Sequence, residues 1–398
     1  MNFWHLRGFL EVRARGSISA AANAMGTSQP ALTQGIAKLE HQLEHKLFER
    51  RARGLIITPV GETVALRVRA ALDHLAQGLH AASGKMLDPA RRLSHAQVRA
   101  FLALVETGSF GRAGVATGMA AASIHRAVRA LEDVVGCPLA ERRGRAVAVN
   151  LYGRRLARDS RLALAELETV FTELGLQGGE LTIVVGTTPL ARAFLVPEAM
   201  ATMSAQGGAR FRVLEGSWAE LAEALREGLA DILVGEVPQD VHPELELQVL
   251  HDAPIVIVAG HDHPLVGRRP DIAMLASFPW IVAPRGTPLR DAWERLFCES
   301  PPQSLVECGS IMIIGRLLTS SNQLTLVTPD QVALQIRSGL LARVDSTTET
   351  GRITIGATLR RGWRPPAAHA RFLALLSEIT VGLDSQRMRR SLVERRWV

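Results

Sequence analysis

Thr27-Ser28-Gln29-Pro30-Ala31-Leu32-Thr33-Gln34, continued by Gly35-Ile36-Ala37-Lys38-Leu39-Glu40-His41-Gln42-Leu43, is the stretch on which the fold turns. Leu32, Ile36, Leu39 and Leu43 recur at spacings of four, three and four, which places them in one narrow stripe of a helix. That stripe is core. Thr27 and Ser28 offer capping oxygens just ahead of it, and Pro30 falls in the first turn, where a missing N–H costs least. The spacing predicts a helix that begins near Thr27. Its opposite face carries Thr27, Pro30, Ala31, Gln34, Lys38 and His41, flanked by Gln29 and Thr33. These are small or polar groups able to approach a backbone or a base edge, where an ordinary surface helix would be longer-chained and more charged. The preceding segment, from Ser17 through Ser19, Ala20, Ala21, Ala22 and Met25, is rich in small residues and lets two short helices pack closely across a turn. Together they predict a helix-turn-helix.

Downstream, Glu49, Arg50, Arg51, Ala52, Arg53 and Gly54 form a basic tip leading into the strand-like run Leu55-Ile56-Ile57, the pattern of a basic wing. Thr58-Pro59 then opens a long helix with a stripe of Val64, Val68, Ala71, Leu72, Leu75 and Leu79. Sliding this segment by 92 positions reproduces it without insertion or deletion. Phe9-Leu10 fall on Phe101-Leu102, Gly16-Ser17 on Gly108-Ser109, Leu39-Glu40 on Leu131-Glu132, Glu49-Arg50-Arg51 on Glu141-Arg142-Arg143, and Gly61 on Gly153. The domain is duplicated. In the second long helix Asn150 takes the cap position, and Leu156, Leu164, Leu167, Val170, Phe171 and Leu174 continue the stripe. Such stripes suit pairing with another subunit or packing on the helix's own domain.

The chain has 398 residues, 47% hydrophobic and 21% charged, with three cysteines (Cys137, Cys298, Cys308). That length predicts several domains, and the sparse cysteines suit a reducing compartment. There is no apolar run of membrane-spanning length and no export-type leader at residues 1 to 7, so a soluble cytoplasmic protein with no membrane partner is expected. Net charge is +7, unevenly spread: residues 1–175 hold 24 Lys and Arg against 15 Asp and Glu, and residues 176–382 hold 17 against 22. A basic front on a mildly acidic body is the balance of a polyanion-binding module joined to a non-binding one. The tail, 383–398, is basic again (Arg387, Arg389, Arg390, Arg395, Arg396) and is expected to be an unstructured end.

From residue 180 the pattern changes to short β-rich runs alternating with amphipathic helices, which predicts an α/β body with a largely parallel sheet. Strand-to-helix joints recur at Thr187-Thr188-Pro189, at Ser217 (with Glu220 in a capping box), at Arg285-Gly286-Thr287-Pro288, at Cys308-Gly309-Ser310 and at Thr328-Pro329. Helix N-termini at strand ends are ready anion sites, although every α/β domain has such joints. The chain carries no nucleophile elbow, Walker loop or HExxH pair, so an enzyme is not expected. His261 and His263 are too few for a metal hook.

Gly16 to Ala22, Ser28 to Thr33, and Leu39, Glu40, Leu47, Phe48, Arg50, Arg51, Thr58 and Gly61 resemble the LysR-type transcriptional regulators. The resemblance covers a winged helix with its linker helix and extends to the body, which is similar to that family's two-lobed, periplasmic-binding-protein-like effector domain. The family usually carries one winged helix per chain, and this sequence carries two. The expected organisation is a winged helix at 1–60 with a linker helix at 61–84, a second pair at 92–152 and 153–176, and an effector domain at 180–382, with lobe I 180–251 and 347–382 and lobe II 252–346. The resemblance implies that Ser28, Gln29, Pro30, Thr33 and Gln34 lie on the recognition helix, with Thr27 and Lys38 on the same face and Arg50, Arg51 and Arg53 near the wing. Gln pairs bidentately with adenine, and Arg contacts phosphate without reading sequence. In the second copy Ala120, Ala121, Ala122 and Ser123 replace Ser28, Gln29, Pro30 and Ala31. Its exposed face offers Ser123, His125, Arg126 and Arg129, with Arg142 and Arg143 on the wing, so whether it touches DNA stays open.

For the effector, a small carboxylate such as a sugar acid or aromatic acid, the candidates are Thr187 and Thr188 from one lobe and Arg285, Gly286 and Thr287 from the other, then Ser217 and Ser310. No cofactor is expected. Implied partners are double-stranded DNA, the effector and a second copy of the chain in a homodimer or homotetramer joined by linker helices, with room for RNA polymerase. A dimer would carry four winged helices. The alternative is an architectural DNA-binding protein with a non-responsive body, and an enzyme or a Cys298–Cys308 redox sensor ranks behind it.

Overall fold

The computed structural model describes residues 1–51, 54–144, 146–176, 181–207, 209–298 and 301–394; of residues 51, 54, 142, 143, 146, 181 and 383–394 it describes the backbone alone. The chain divides into two compact units, Met1–Gly179 and Glu180–Val398.

The first unit opens with α1 (Phe3–Arg15), α2 (Ile18–Met25) and α3 (Gln29–Gln42). Ser28, not Thr27, caps α3: its Oγ accepts from the Ala31 N–H at 3.3 Å, and Pro30 lies in the first turn. Leu32, Ile36, Leu39 and Leu43 are buried as the spacing demands, each such burial favouring the fold by roughly 1.5–3 kcal/mol. An antiparallel hairpin follows, β1 (Phe48–Arg51) with β2 (Gly54–Ile57), then the long α4 (Pro59–Ser83), capped by Thr58 through the Gly61 N–H at 2.9 Å. The short α5 (Pro89–Arg92) connects to the second copy, which consists of α6 (His95–Thr107), α7 (Phe110–Thr117), α8 (Ala121–Val135), β3 (Ala140–Arg143), β4 (Ala146–Val149) and α9 (Leu151–Glu173). Every element of the first copy begins 92 residues before its counterpart.

The copies share their fastenings. Glu40 Oε1 accepts from the Leu47 N–H at 3.0 Å, and Glu132 Oε1 from the Leu139 N–H at 2.9 Å, so in each copy a carboxylate on the third helix holds the entry to the wing. Gly61 and Gly153 admit the carbonyls of Leu47 and Leu139 where a Cβ would collide. The stripes of α4 and α9 find each other within the chain. Arg67, early in α4, reaches Glu166 and Glu173 late in α9, while Gly78, late in α4, lies against Leu156 and Asp159 early in α9. The two helices are therefore antiparallel, and one hydrophobic core runs through both copies.

The second unit has two five-stranded sheets. One, in order β6-β5-β7-β14-β8, uses β5 (Leu181–Thr187), β6 (Ala209–Glu215), β7 (Ile232–Glu236), β8 (Leu245–Pro254) and β14 (Arg352–Arg360), flanked by α10 (Pro189–Arg192), α11 (Leu195–Gln206), α12 (Trp218–Arg226) and α17 (Ala367–Glu394). The other, in order β11-β10-β12-β9-β13, uses β9 (Val256–Gly260), β10 (Trp280–Val282), β11 (Ser304–Glu307), β12 (Leu324–Val327) and β13 (Leu341–Val344), with α13 (Ile272–Ala276), α14 (Pro288–Leu296), α15 (Ile311–Leu318) and α16 (Ala333–Arg337). Both sheets are mixed, not largely parallel. In each, the strands joined through helices run parallel, as in β5 with β6 and β7, while the strands that carry the chain to and from the other lobe run against their neighbours: β8 against β14, and β9 against both β12 and β13. The basic tail, expected to be unstructured, continues α17 as helix to Glu394, and Arg395 and Arg396 lie outside the described residues. Among the described residues no helix is long and apolar enough to cross a membrane.

Candidate DNA interface and effector cleft

With its apolar stripe in the core, α3 turns Ser28, Gln29, Pro30, Thr33, Gln34 and Lys38 to the surface, and Thr27 is half-buried at its start. Two of these groups are already engaged: Ser28 caps the helix, and the Thr33 hydroxyl donates to the Gln29 carbonyl at 2.8 Å. Gln34 stands at mid-face with its amide exposed. Gly35 behind it allows the His5 ring to lie against the helix. Burial lowers the pKa of His5, and the charges of Lys38 and the amino terminus lower it further, which favours the neutral ring beside Lys38. Arg50 is exposed on β1, Arg51 ends that strand, and Arg53 lies outside the described residues.

On α8, His125, Arg126 and Arg129 are exposed and Ser123 is half-buried. His125, the counterpart of Thr33, packs at a tilt against Phe110, with ring centroids 5.1 Å apart. Arg126, the counterpart of Gln34, donates to Ser123 Oγ at 3.3 Å, and Arg129 pairs with Glu132 at 3.2 Å. Ala120 provides no side-chain cap. The second face is cationic where the first is amide-bearing. Arg142 and Arg143 lie on β3.

In the second unit a cleft of about 1160 Å³ opens between the lobes. Arg192, Glu215, Ser217, Glu236 and Arg352 line it from one side, and Arg285, Gly286, Thr287, Asp291 and Arg295 from the other. Arg192 is paired with Glu215 at 2.8 Å, and Arg290, behind the cleft, is held by Glu294 and Glu307. Arg285 is exposed at the mouth. The Thr287 hydroxyl donates to the Pro284 carbonyl at 2.7 Å and caps α14, so its contribution is to fix the turn that carries Arg285 and Gly286. Deeper in, a small, mostly apolar pocket of about 70 Å³ is lined by Pro189, Glu236, Thr287, Cys308, Gly309, Thr325 and Gln331, among others.

The structure brings together Ser217, Arg285, Gly286 and Thr287, but not the whole expected set. Thr187 and Thr188 are buried and line neither cavity; the Thr188 hydroxyl donates to Glu236, and Gly235 leaves the room for it to do so. Ser310 starts α15 beside the inner pocket without lining it, its N–H directed to Cys308 Sγ at 3.3 Å. Glu236, which sequence reasoning missed, lines both cavities. Its signal was available: an acidic residue ending the apolar run Ile232-Leu233-Val234-Gly235 at the carboxyl end of a central strand, where α/β sheets place ligand groups. Gln331 was missed too. Its amide donates to the Pro189 carbonyl at 3.3 Å and so ties one lobe to the other across the inner pocket. His263 is a structural residue: Nδ1 accepts from the Leu265 N–H at 3.1 Å, Nε2 lies 3.3 Å from the Asn322 carbonyl, and burial lowers its pKa. The three cysteines are free thiols.

Sequence comparison agrees with this division. Residues 3–62 and 95–154 both match the bacterial regulatory helix-turn-helix protein, lysR family, and residues 175–380 match the LysR substrate binding domain. The HTH-type transcriptional regulator GalR of Pseudomonas putida is 30% identical over 393 residues, covering 95% of this chain and 98% of its own. The SDS degradation transcriptional activation protein of a Pseudomonas species is 31% identical over 258 residues, covering 63% and 83%. Among solved structures, ArgP from Mycobacterium tuberculosis (TM-score 0.59, 18% identity, 73% of this chain and 98% of that one) and full-length OxyR from Pseudomonas aeruginosa (0.58, 18%, 71% and 97%) share the fold. The two matched helix-turn-helix segments, the matched substrate-binding domain and the near-full-length relative make this chain a member of the LysR family of transcriptional regulators.

Proposed function

We propose that this regulator reads operator bases with α3, anchors the adjoining DNA through phosphate contacts from α8, and answers to a small hydroxylated carboxylate held between the lobes of its second unit. The observation that carries the DNA half is the exposed face of α3, where Gln34 is free of the helix's own capping and back-bonding. Gln can bond adenine bidentately through the major groove. Arg50, Arg51 and Arg53 would grip phosphate from the wing. On α8, Arg126 would do the same, with Arg129 sharing its charge with Glu132.

For the effector, Arg285 at the mouth would hold a carboxylate, and Glu236 at the junction of the two cavities would accept from a ligand hydroxyl. Ser217 and the Gly286 backbone would supply further polar contacts, with Thr187, Thr188 and Ser310 supporting the walls from behind. Because Gln331 and Pro189 join the lobes, a ligand in the cleft alters how they meet, and a ligand that binds one lobe arrangement better than another shifts the population between them.

The test is fluorescence anisotropy on an operator fragment selected from genomic DNA, titrated with a panel of hydroxylated sugar acids and aromatic acids. At least one acid should change the affinity or mobility of the complex, and Arg285→Ala should abolish that response while DNA affinity stays. A complex indifferent to every acid would favour the architectural reading, and an unchanged response in Arg285→Ala would discard the carboxylate assignment.

A further inference from the structure

The α4–α9 contact is a pairing of unlike copies. Under the offset of 92, Arg67 corresponds to Asp159, His74 to Glu166 and Ala81 to Glu173. In the structure Arg67 donates from Nη1 to Glu166 at 3.1 Å and from Nε to Glu173 at 3.2 Å, with its side chain 9% exposed. Arg67 thus faces the two positions 7 and 14 residues beyond its own counterpart in the other copy. The reciprocal contact is present as well, because Asp159 lies on Gly78, between the places of His74 and Ala81. Phe3 and His95, which occupy the same position in the two copies, meet edge to face at 6.1 Å, as groups beside a local two-fold axis must. The copies are arranged as the halves of a dimer, inside one chain.

The charges favour the unlike partner over a like one. Two first copies pairing in this way would put each buried Arg67 against a histidine and an alanine, leaving two guanidiniums without a carboxylate. Two second copies would set Asp159, with Arg158 as its neighbouring cation, against the buried Glu166 and the more exposed Glu173, three carboxylates brought together without Arg67. Removing the partner of a buried charge is far costlier than the pair itself is worth, so like pairing is penalised from both sides. The connector reinforces the unlike pair: Ala90 and Leu93 are buried in the shared core, and Arg91 donates to the Met25 carbonyl at 3.1 Å.

We infer that a single chain completes the two-fold DNA-reading head, with the unlike pairing of α4 and α9 specified by Arg67 against Glu166 and Glu173, so that one polypeptide covers both half-sites of an operator whose halves differ. The pairing stands on the contacts alone; the unequal half-sites rest on the DNA reading proposed above.

The cross-link test does not involve DNA, so failure of the pairing is distinguishable from failure of that reading. In the full-length chain with Cys137, Cys298 and Cys308 changed to serine, Gly78→Cys and Asp159→Cys are combined and oxidised. A Cβ built on Gly78 falls 2.9 Å from that of Asp159, so a slight parting of the helices reaches the roughly 3.5–4.5 Å a disulfide spans. The expected product is a monomer-mass band of altered mobility without reductant. A covalent dimer, or unbridged thiols in a folded chain, would overturn the inference. A charge exchange gives a second test. Arg67→Glu alone and Glu166→Arg with Glu173→Arg alone should each weaken operator binding at least about 100-fold. All three changes in one chain should restore binding. Mixing the two defective chains should not, and rescue on mixing would show that the contact is made between chains.

Discussion

The first helix-turn-helix copy and the second share a frame and differ on the face they turn outward. Both hold the wing by the same glutamate, Glu40 or Glu132, and both close on a glycine against the wing's entry. Yet Ser28, Gln29, Pro30 and Gln34 in one become Ala120, Ala121, Ala122 and Arg126 in the other. Packing constrains the inside of each copy equally, so the inside is repeated. The outer faces are released from that constraint, and they have diverged toward hydroxyl and amide groups in one case and charge in the other. The α4–α9 interface lies between these extremes: it is buried, but its two sides must match each other and need not match themselves.

That contrast can be broken at several depths. The largest effect is expected at Arg67, where Arg67→Ala leaves the buried Glu166 without its cation and should cost about 3–5 kcal/mol in denaturant unfolding of the first unit. Next is Gln34→Ala, which should reduce discrimination for the operator by about 1–3 kcal/mol while leaving binding to unrelated DNA intact, measured by competition binding. Exchange of caps should act oppositely in the two copies. Ser28→Ala should destabilise by about 1 kcal/mol, whereas Ala120→Ser should stabilise by a similar or smaller amount, because α8 has no side-chain cap to lose.

The smallest expected effect is a pH term at the local axis. Burial first, and then the positive charge of the Met1 amino group and Arg99, hold the His95 pKa below its ordinary value. The unfolded chain therefore takes up this proton first as pH falls below about 6.5. The His95 contribution is full above that pH and is lost as pH falls toward the lower folded value. His95→Phe, which repeats Phe3, should flatten that part of the stability profile; an unchanged slope would place the titration elsewhere.

Much of this was legible from residues. The spacing of Leu32, Ile36, Leu39 and Leu43, the caps at Thr58 and Asn150, and the 92-residue offset fix the repeated unit, because they are local signals read within one turn or one copy. The stripe on α4 left open whether it pairs with another subunit or packs on its own domain; the hint lay in the opposed charges at matched positions, Arg67 against Asp159. Thr187 and Thr188 looked like ligand groups because they end a strand, and only the fold shows the Thr188 hydroxyl spent on Glu236, 48 residues away. The mixed sheets escaped for a similar reason: nothing local in β14 says that it lies between β7 and β8 and runs against both.

The unequal roles of the two copies on DNA are tested most directly by hydroxyl-radical footprinting of the full-length chain on its selected operator at ~150 mM salt, with Gln34→Ala and Arg126→Ala beside wild type. Gln34→Ala should erase sequence-specific protection in one half-site. Arg126→Ala should thin protection in the other half on any sequence and lower the salt dependence by a slope of about 0.9. Two halves weakened alike by Gln34→Ala, or a footprint indifferent to Arg126→Ala, would contradict the account.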